Sequence, residues 1–513
     1  MHLLKEPKKQ AKKRFGTTLL LLAAAAMMFP TAALADDYDD DNGWRRKPKN
    51  VIFFLGDGMG MSTVTATRIY SVGVDGELII DKFPNVGLSR VATADHITPD
   101  SAGTMSAMMT GVNHNSGVIG FPPTTERGDF NNDGDDAPLW TIAELAKRRG
   151  MKVGVVSTTR LTHATPAAVY AHVNERNLEN DIALQSLPGD ATYNERLRSG
   201  LDILMGGGRR HFVPNTMADE EGGTGKRTDD RDLRVEYQDA GYEYVYDKAG
   251  FDSLDANDLP VLGLFEGSHM EYEYDRPTDA AGEPSLAEMT GKAVDLLEQA
   301  TRKGVKGYFL MVEGGRIDHA YHEVNAWRTL TDTEEFDEAV AAAIERVKLR
   351  DTMIIVTADH GHVFTIAGYP MRNIADLQYA PTSSPAEYLA SPFANILDIV
   401  YDINGAGEIN PALDSSQVPY TTLVYGNGGA NRNPRFDPRT DVTPGYAGEI
   451  PVQVGMSNSN HPAYRQEAAV PMSSETHSGE DTVFYGIGAG SESINGTMRN
   501  WEIFEIMRTA LGL

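Results

Sequence analysis

The stretch Glu313-Gly-Gly-Arg-Ile-Asp318-His319-Ala-Tyr-His322 limits what this chain can fold into more than any other. Four side chains able to hold a metal ion fall within ten residues, directly after the apolar run Tyr308-Phe-Leu-Met-Val312. An apolar run that ends in ligands reads as a buried strand delivering a metal site at its carboxyl end. Asp318 and His322 are four residues apart, so one helical turn places them on a common face.

Bulk properties narrow the classes. A chain of 513 residues has ample length for a large core. It has no cysteine, so any transition metal must be held by nitrogen and oxygen. Residues 1–35 are expected to be a signal peptide. Lys5, Lys8, Lys9, Lys12, Lys13 and Arg14 form a basic start, Leu19 to Met28 is apolar, and Ala33-Leu34-Ala35 has the small-x-small cleavage form. The apolar run is too short for a membrane anchor, and no later run reaches spanning length, so a periplasmic or secreted location is expected. Residues 36–47 read as an acidic, solvated tail. Taking the leader's six basic residues and one acidic residue from the totals of 46 and 73 leaves 40 against 72, a net charge of −32. Such acidity argues against a nucleic-acid partner, because it offers no basic footprint for a phosphate backbone. It suits a salty exterior, where charge keeps a protein soluble.

Strand and helix patterns alternate. Val51-Ile-Phe-Phe-Leu55 reads as a central strand turning at Gly56-Asp57-Gly58-Met-Gly60 into a helix. Helices are expected at Leu139–Arg149, Leu286–Arg302 (capped by Ser285) and Asn325–Leu349. Strands are expected at Lys152–Ser157 and Met353–Val356, the latter ending at Asp359-His360. This rhythm predicts a three-layer α/β/α sandwich around a large, mostly parallel sheet. The span from about 366 to 460 is rich in Asn, Gly, Pro, Ser and Tyr, and reads as an inserted surface lid or crown. The catalytic domain is therefore expected over residues 48–513.

Several segments offer chemistry. Asp57 sits in a glycine turn that lets the backbone approach a ligand closely. Thr98-Pro-Asp100-Ser101 opens a helix that closes at Gly111, placing Ser101 among unpaired amides that favour an anion. A serine hydroxyl becomes a nucleophile only when a base or a cation lowers its pKa. No Ser-His-Asp order is evident nearby, which leaves a cation. His163-Ala-Thr165-Pro166 through His172 to Arg176 adds a hydroxyl, two imidazoles and a guanidinium suited to phosphate. Asp359-His360-Gly-His362 borders a buried strand, where a charge must be paired or ligated. Each segment alone has an ordinary structural explanation as a turn or cap; their combination does not.

In order and spacing these segments resemble the alkaline phosphatases. Asp100-Ser101-Ala102, Thr165-Pro166, Glu313 to His322, Asp359-His360 and Glu475-Thr-His477 carry the likeness. Gly206-Gly-Gly-Arg209, Gly263-Leu-Phe-Glu266 and Pro284-Ser-Leu-Ala-Glu-Met-Thr290 are similar to the animal-type branch, as are His163 and His319. In the best-known bacterial pattern those last two positions are commonly Asp and Lys.

The resemblance implies that Asp318, His322 and His477 hold one zinc ion. It implies that Asp57, Asp359 and His360 hold a second, and that Thr165, Glu313 and the bridging Asp57 hold magnesium. It makes Ser101 the nucleophile and Arg176 the phosphate clamp. Asp100, His163, His319 and His362 become residues that orient ligands or modulate the substrate. Two cations about 4 Å apart can stabilise both the attacking and leaving oxygens of an in-line displacement. The implied activity is hydrolysis of small phosphate monoesters at alkaline pH through a phosphoserine, in a homodimer.

A calcium site is a further expectation. Phe265-Glu266 resembles part of an animal-type one whose other ligands the sequence does not place. Asp129-Phe-Asn131-Asn-Asp133-Gly134 matches half a calcium loop but meets Trp140 where a bidentate Glu is required, so a solvated turn is expected. The rival readings are a phosphodiesterase or sulfatase on the same scaffold, and a non-catalytic exported phosphate- or metal-binding protein. A sulfatase needs x-Pro-x-Arg after its modifiable residue, and Ser101-Ala-Gly-Thr lacks it.

Overall fold

The computed structural model describes residues 47–129, 137–370, 394–403, 409–415, 417, 419–429 and 462–513. The expected leader, the acidic tail up to residue 46, the Asp129–Gly134 motif beyond Asp129 and most of the insertion lie outside them.

Ten strands form one sheet. In chain order they are β1 (Asn50–Gly56), β2 (Asn85–Arg90), β3 (Lys152–Arg160), β4 (Ile203–Gly207) and β5 (Glu243–Val245). Then follow β6 (Val261–Leu264), β7 (Tyr308–Gly314), β8 (Thr352–Thr357), β9 (Thr482–Gly488) and β10 (Gly496–Arg499). Across the sheet the order is β10-β2-β9-β8-β1-β7-β3-β4-β6-β5. Only β9 runs against its neighbours β8 and β2; every other pairing is parallel.

The apolar runs follow from burial on both faces. In β1, Val51, Phe53 and Leu55 join a core with Met105, Met108, Ile142, Ile503 and Met507. Those partners come from α2 (Ser101–Thr110), α3 (Ile142–Arg148) and α8 (Glu502–Leu511). Phe54 points the other way, edge-on to Phe336 at 5.9 Å between ring centroids. Phe336 belongs to α7 (Ala326–Ile344), which packs with α1 (Met61–Val72) and α5 (Leu286–Arg302). Alternate residues thus feed opposite helical layers, which is the expected sandwich.

Two helices are shorter than their periodicity suggests. Thr141 and Glu144 form a reciprocal capping box, so α3 starts at Ile142 and Leu139 stays outside it. α7 ends at Ile344 rather than Leu349, whose carbonyl accepts a hydrogen bond from the Ala489 amide after β9. α5 matches its expected bounds, with Ser285 and Glu288 as its capping box.

Register aligns the ends of the central strands. Leu55 lies opposite both Glu313 and Thr357, and Glu313 lies opposite Ser157. Whatever follows β1, β7 and β8 therefore emerges at one edge. Phe53→Ala, at a fully buried position, should lower unfolding free energy by about 3–5 kcal/mol in guanidinium titration. Val72→Ala, at a 45% exposed position, should change it by less than about 0.5 kcal/mol.

Candidate active site

Asp57 leaves β1 buried, its amide bonded to the Gly314 carbonyl at 3.3 Å. The next residue, Gly58, has φ +68, and a Cβ there would run into the His362 imidazole. Its amide donates to Asp359 Oδ1 at 3.1 Å. That turn could not be made with a side chain, because the left-handed backbone and the close approach both require glycine.

Ser101 is the first residue of α2, capped by Asp100, whose carboxylate accepts from the Gly103 amide at 3.1 Å. Ser101 Oγ is 3.4 Å from each Asp57 oxygen and 3.3 Å from His360 Nε2. Asp359 follows β8, and its Oδ2 lies 3.3 Å from His360 Nε2. Thr165, in the short helix α4 (Ala164–Ala167), places Oγ1 3.4 Å from Asp57 Oδ2. Glu313 Oε2 accepts from the Ser157 and Thr159 hydroxyls, while its Oε1 is buried with no hydrogen bond among the described residues.

A second group gathers around Asp318. Its Oδ1 is 2.9 Å from His362 Nε2, 3.3 Å from His477 Nε2 and 3.4 Å from His322 Nε2. The helix α6 (Arg316–His322) supplies Asp318 and His322 one turn apart, as their spacing predicts. His477 arrives from far along the chain because residues 477–478 pair antiparallel with 361–362, His477 opposite His362. His322 Nδ1 donates to the Glu475 carbonyl at 2.7 Å, and His477 Nδ1 to the Pro99 carbonyl at 2.8 Å. Both tautomers are thereby set, and the two Nε2 lone pairs face each other at 3.2 Å. Two acceptors so close repel unless a cation lies between them, and outer bonds of this kind are how proteins orient metal-binding imidazoles.

Electrostatics says the same. Burial, then the neighbouring carboxylates Asp359, Asp318 and Glu313, hold Asp57 well above the usual carboxylate range. Burial pushes Glu313 up to about 7 and raises Asp359 as well. Burial also pushes on Asp318, but His322, His362 and His477 outweigh it and hold that carboxyl low. Burial acts against a charged His362, yet Glu475 and Asp318 prevail and lift it to about 9.

Arg176 and the residues around it form their own set. Arg176 Nη1 donates to Asp100 Oδ2 at 2.8 Å and Nη2 to His163 Nε2 at 3.2 Å. Burial and then Arg176 keep His163 neutral; burial and then Arg316 push His319 down to about 3. Thus these candidates gather in one region: Asp57, Asp100, Ser101, His163, Thr165, Arg176, Glu313, Asp318, His319, His322, Asp359, His360, His362 and His477.

Two further neighbours join the cluster: Glu475, which the sequence motif contains without a role, and His269. Glu475 accepts from His362 Nδ1 at 2.5 Å and from the Val363 amide at 2.9 Å. Its place two residues before His477 was the available signal. His269 packs on His319 with ring centroids 4.1 Å apart and on His163 at 5.3 Å; no spacing marked it. His172, though offered by its segment, pairs instead with Glu144 at 2.6 Å, away from the cluster. A separate acidic group, Glu221, Glu266 and Asp279, brings its oxygens within 4.8 Å of one another.

The alkaline phosphatase family profile matches residues 48–513, nearly all of the described fold. The chain belongs to the alkaline phosphatase family. It is 35% identical over 474 residues to the human tissue-nonspecific alkaline phosphatase, covering 87% of this chain and 80% of that one. The Thermus thermophilus alkaline phosphatase superposes with a TM-score of 0.61 at 25% identity, covering 92% of each chain. A mutant of the TAB5 alkaline phosphatase, solved with magnesium in a site called M3, gives 0.59 at 21% identity over 91% of this chain and 99% of that one. As a member of this family the chain is an alkaline phosphatase, a metal-binding phosphomonoester hydrolase, and the expected fold is the observed one.

Asp100 yields a test of how Arg176 is held. Burial works against its charge, but Arg176 and the Gly103 and Gly117 amides outweigh it and hold the carboxyl below its usual value. A depressed acid contributes stability above the ordinary carboxylate pKa of about 4 and loses it as pH falls through the lower folded value. Asp100→Asn should keep the helix cap, remove that acid-side loss in stability-versus-pH curves, and weaken competitive inhibition by inorganic phosphate several-fold.

Proposed function

We propose that this chain is an exported alkaline phosphatase that cleaves small phosphate monoesters through a phosphoserine formed on Ser101, using two zinc ions and one magnesium ion. The observation that carries the reading is the position of Ser101 Oγ, 3.3 Å from His360 Nε2 and 3.4 Å from both Asp57 oxygens. The donors fit those ions. Asp318, His322 and His477 would hold one zinc, and Asp57, Asp359 and His360 the other; nitrogen with oxygen suits that metal. Asp57, Thr165 and Glu313 would hold magnesium through hard oxygens, and the unbonded Glu313 Oε1 is a free ligand atom. The bound ions supply positive charge that lowers the serine pKa and stabilises the attacking and leaving oxygens.

The chain's own groups do the rest. Arg176, fixed by Asp100 and His163, retains outward N–H groups to grip two phosphate oxygens. Ser101 Oγ attacks phosphorus in line, its bond forming as the bond to the leaving oxygen breaks. Water then attacks the phosphoserine, releasing inorganic phosphate and restoring the hydroxyl. His362, held between Asp318 and Glu475, fixes the Asp318 carboxylate.

Export rests on the leader composition; among the described residues no helix is long and apolar enough to cross a membrane. A homodimer and a catalytic domain spanning residues 48–513 with an inserted lid are proposed from the family resemblance and composition. Glu221, Glu266 and Asp279 support the calcium expectation. So does Glu283, buried with an unbonded Oε2 and pushed up to about 9 by burial, then by Glu266 and Asp279.

Ser101→Ala should lower kcat on p-nitrophenyl phosphate at alkaline pH by about three orders of magnitude or more. A chelator should abolish turnover by the parent. Preference for a diester over p-nitrophenyl phosphate would contradict the reading. Calcium at about 100 times its Kd should stabilise the parent by about 2.7 kcal/mol, read as a rise in Tm; Glu266→Gln should lose that rise.

A further inference from the structure

In this strongly acidic chain the guanidinium groups around the site are paired with carboxylates. Arg160 pairs with Glu179 at 2.7 Å, Arg176 with Asp100 at 2.8 Å, Arg276 with Glu273 at 2.7 Å and Arg328 with Asp275 at 2.7 Å. Arg316 and Arg465 depart from this pattern, and among the described residues neither forms an ion pair. Both line one open cleft of about 370 Å³, together with His269, His319, His322 and Ser474. Among the described residues Glu323 is the single carboxylate on that wall.

Arg316 is held without a direct ion pair, although its charge acts on the buried carboxyl of Asp332 behind it. Its Nη1 donates to His319 Nδ1 at 3.1 Å, and its guanidinium lies over the Tyr272 ring at 3.6 Å from the centroid. Its Nε is buried without a hydrogen bond among the described residues. Arg465 makes no hydrogen bond there either. Leaving two charges unpaired beside abundant Asp and Glu forgoes charge-assisted bonds. That pattern suits a surface whose partner is an incoming anion.

His322 joins the cleft to the Asp318 group. In-line attack sends the leaving group away from Ser101 Oγ. Ser101 sits against Asp57 and His360, while His322 belongs to the adjoining group around Asp318 and forms part of the cleft wall. A leaving group departing past His322 therefore enters the space between Arg316 and Arg465.

We propose that this cleft is a subsite for a second anionic group on the leaving group. The favoured substrates are phosphomonoesters that also carry another phosphate or a carboxylate. The proposal rests on the phosphomonoesterase reading and goes further by naming residues that select among monoesters. Arg465 recognises the second anion directly; Arg316 supplies the facing charge.

The test compares matched substrates on the metal-loaded full chain. Phenyl phosphate is set against 3-carboxyphenyl phosphate, and glucose 1-phosphate against glucose 1,6-bisphosphate. The parent should prefer the second member of one or both pairs, through KM. Arg465→Ala should cut that preference about 10-fold, the worth of one charge-assisted hydrogen bond, while kcat on phenyl phosphate stays within about twofold. Arg465→Lys should recover part of the preference, and added salt should erode it in the parent. The carboxylate and bisphosphate arms show which anion the subsite takes. Equal losses on both members of a pair, or an unchanged preference in Arg465→Ala, overturn the subsite. A parent that hydrolyses neither phenyl phosphate nor glucose 1-phosphate contradicts the phosphomonoesterase reading itself.

Discussion

Repulsion among buried carboxylates is the constraint on which the rest of this structure depends. Asp57, Glu313 and Asp359 are fully buried and Asp318 nearly so, all converging at one edge of the sheet. Taking such charges out of water is expensive unless they are paired or ligated. Protein cations answer only part of the demand. The imidazoles hold Asp318, but Asp57, Glu313 and Asp359 are each raised above the usual range. The folded chain is thus built around positive charge that the family's metal ions bring.

The sheet makes that concentration possible. Parallel strands in register bring the residues after β1, β7 and β8 to the same level, and helices bury both faces of those strands. The site therefore rests on strands that are buried on both faces. Outer contacts then orient it. Backbone carbonyls set the tautomers of His322 and His477, Glu475 steers His362, and Asp100 serves both as helix cap and as the anchor of Arg176. A single carboxylate doing both jobs ties Arg176 to the end of the helix that Ser101 opens.

Much of this was legible in the sequence because it is local. An apolar run, a glycine turn and an acid report a strand and what it delivers, as at Leu55 to Asp57 and at Val312 to Glu313. Asp318 and His322 declared themselves by helical spacing. What spacing cannot convey is pairing between distant segments. The ladder that sets His477 opposite His362, and the position of Glu475 behind both, exist only in three dimensions. His269 is a plainer case: a histidine in a loop after β6, significant only because His163 and His319 converge on it. Glu221, Asp279 and Glu283 joined Glu266 in the same way. Periodicity also overran α7 and α3, since amphipathic spacing does not show where a cap or a neighbouring strand takes the backbone.

Cations, not protons, are the native partners of the clustered carboxylates. Proton release on metal binding tests it most directly. Chelator-stripped protein near neutral pH would be titrated with zinc and magnesium by calorimetry in buffers of different ionisation enthalpy. Raised carboxylates must lose protons as ions arrive, so release of protons with a matching gain in thermal stability is predicted. Binding with no proton release, or stripped protein as stable as the loaded form, would contradict it.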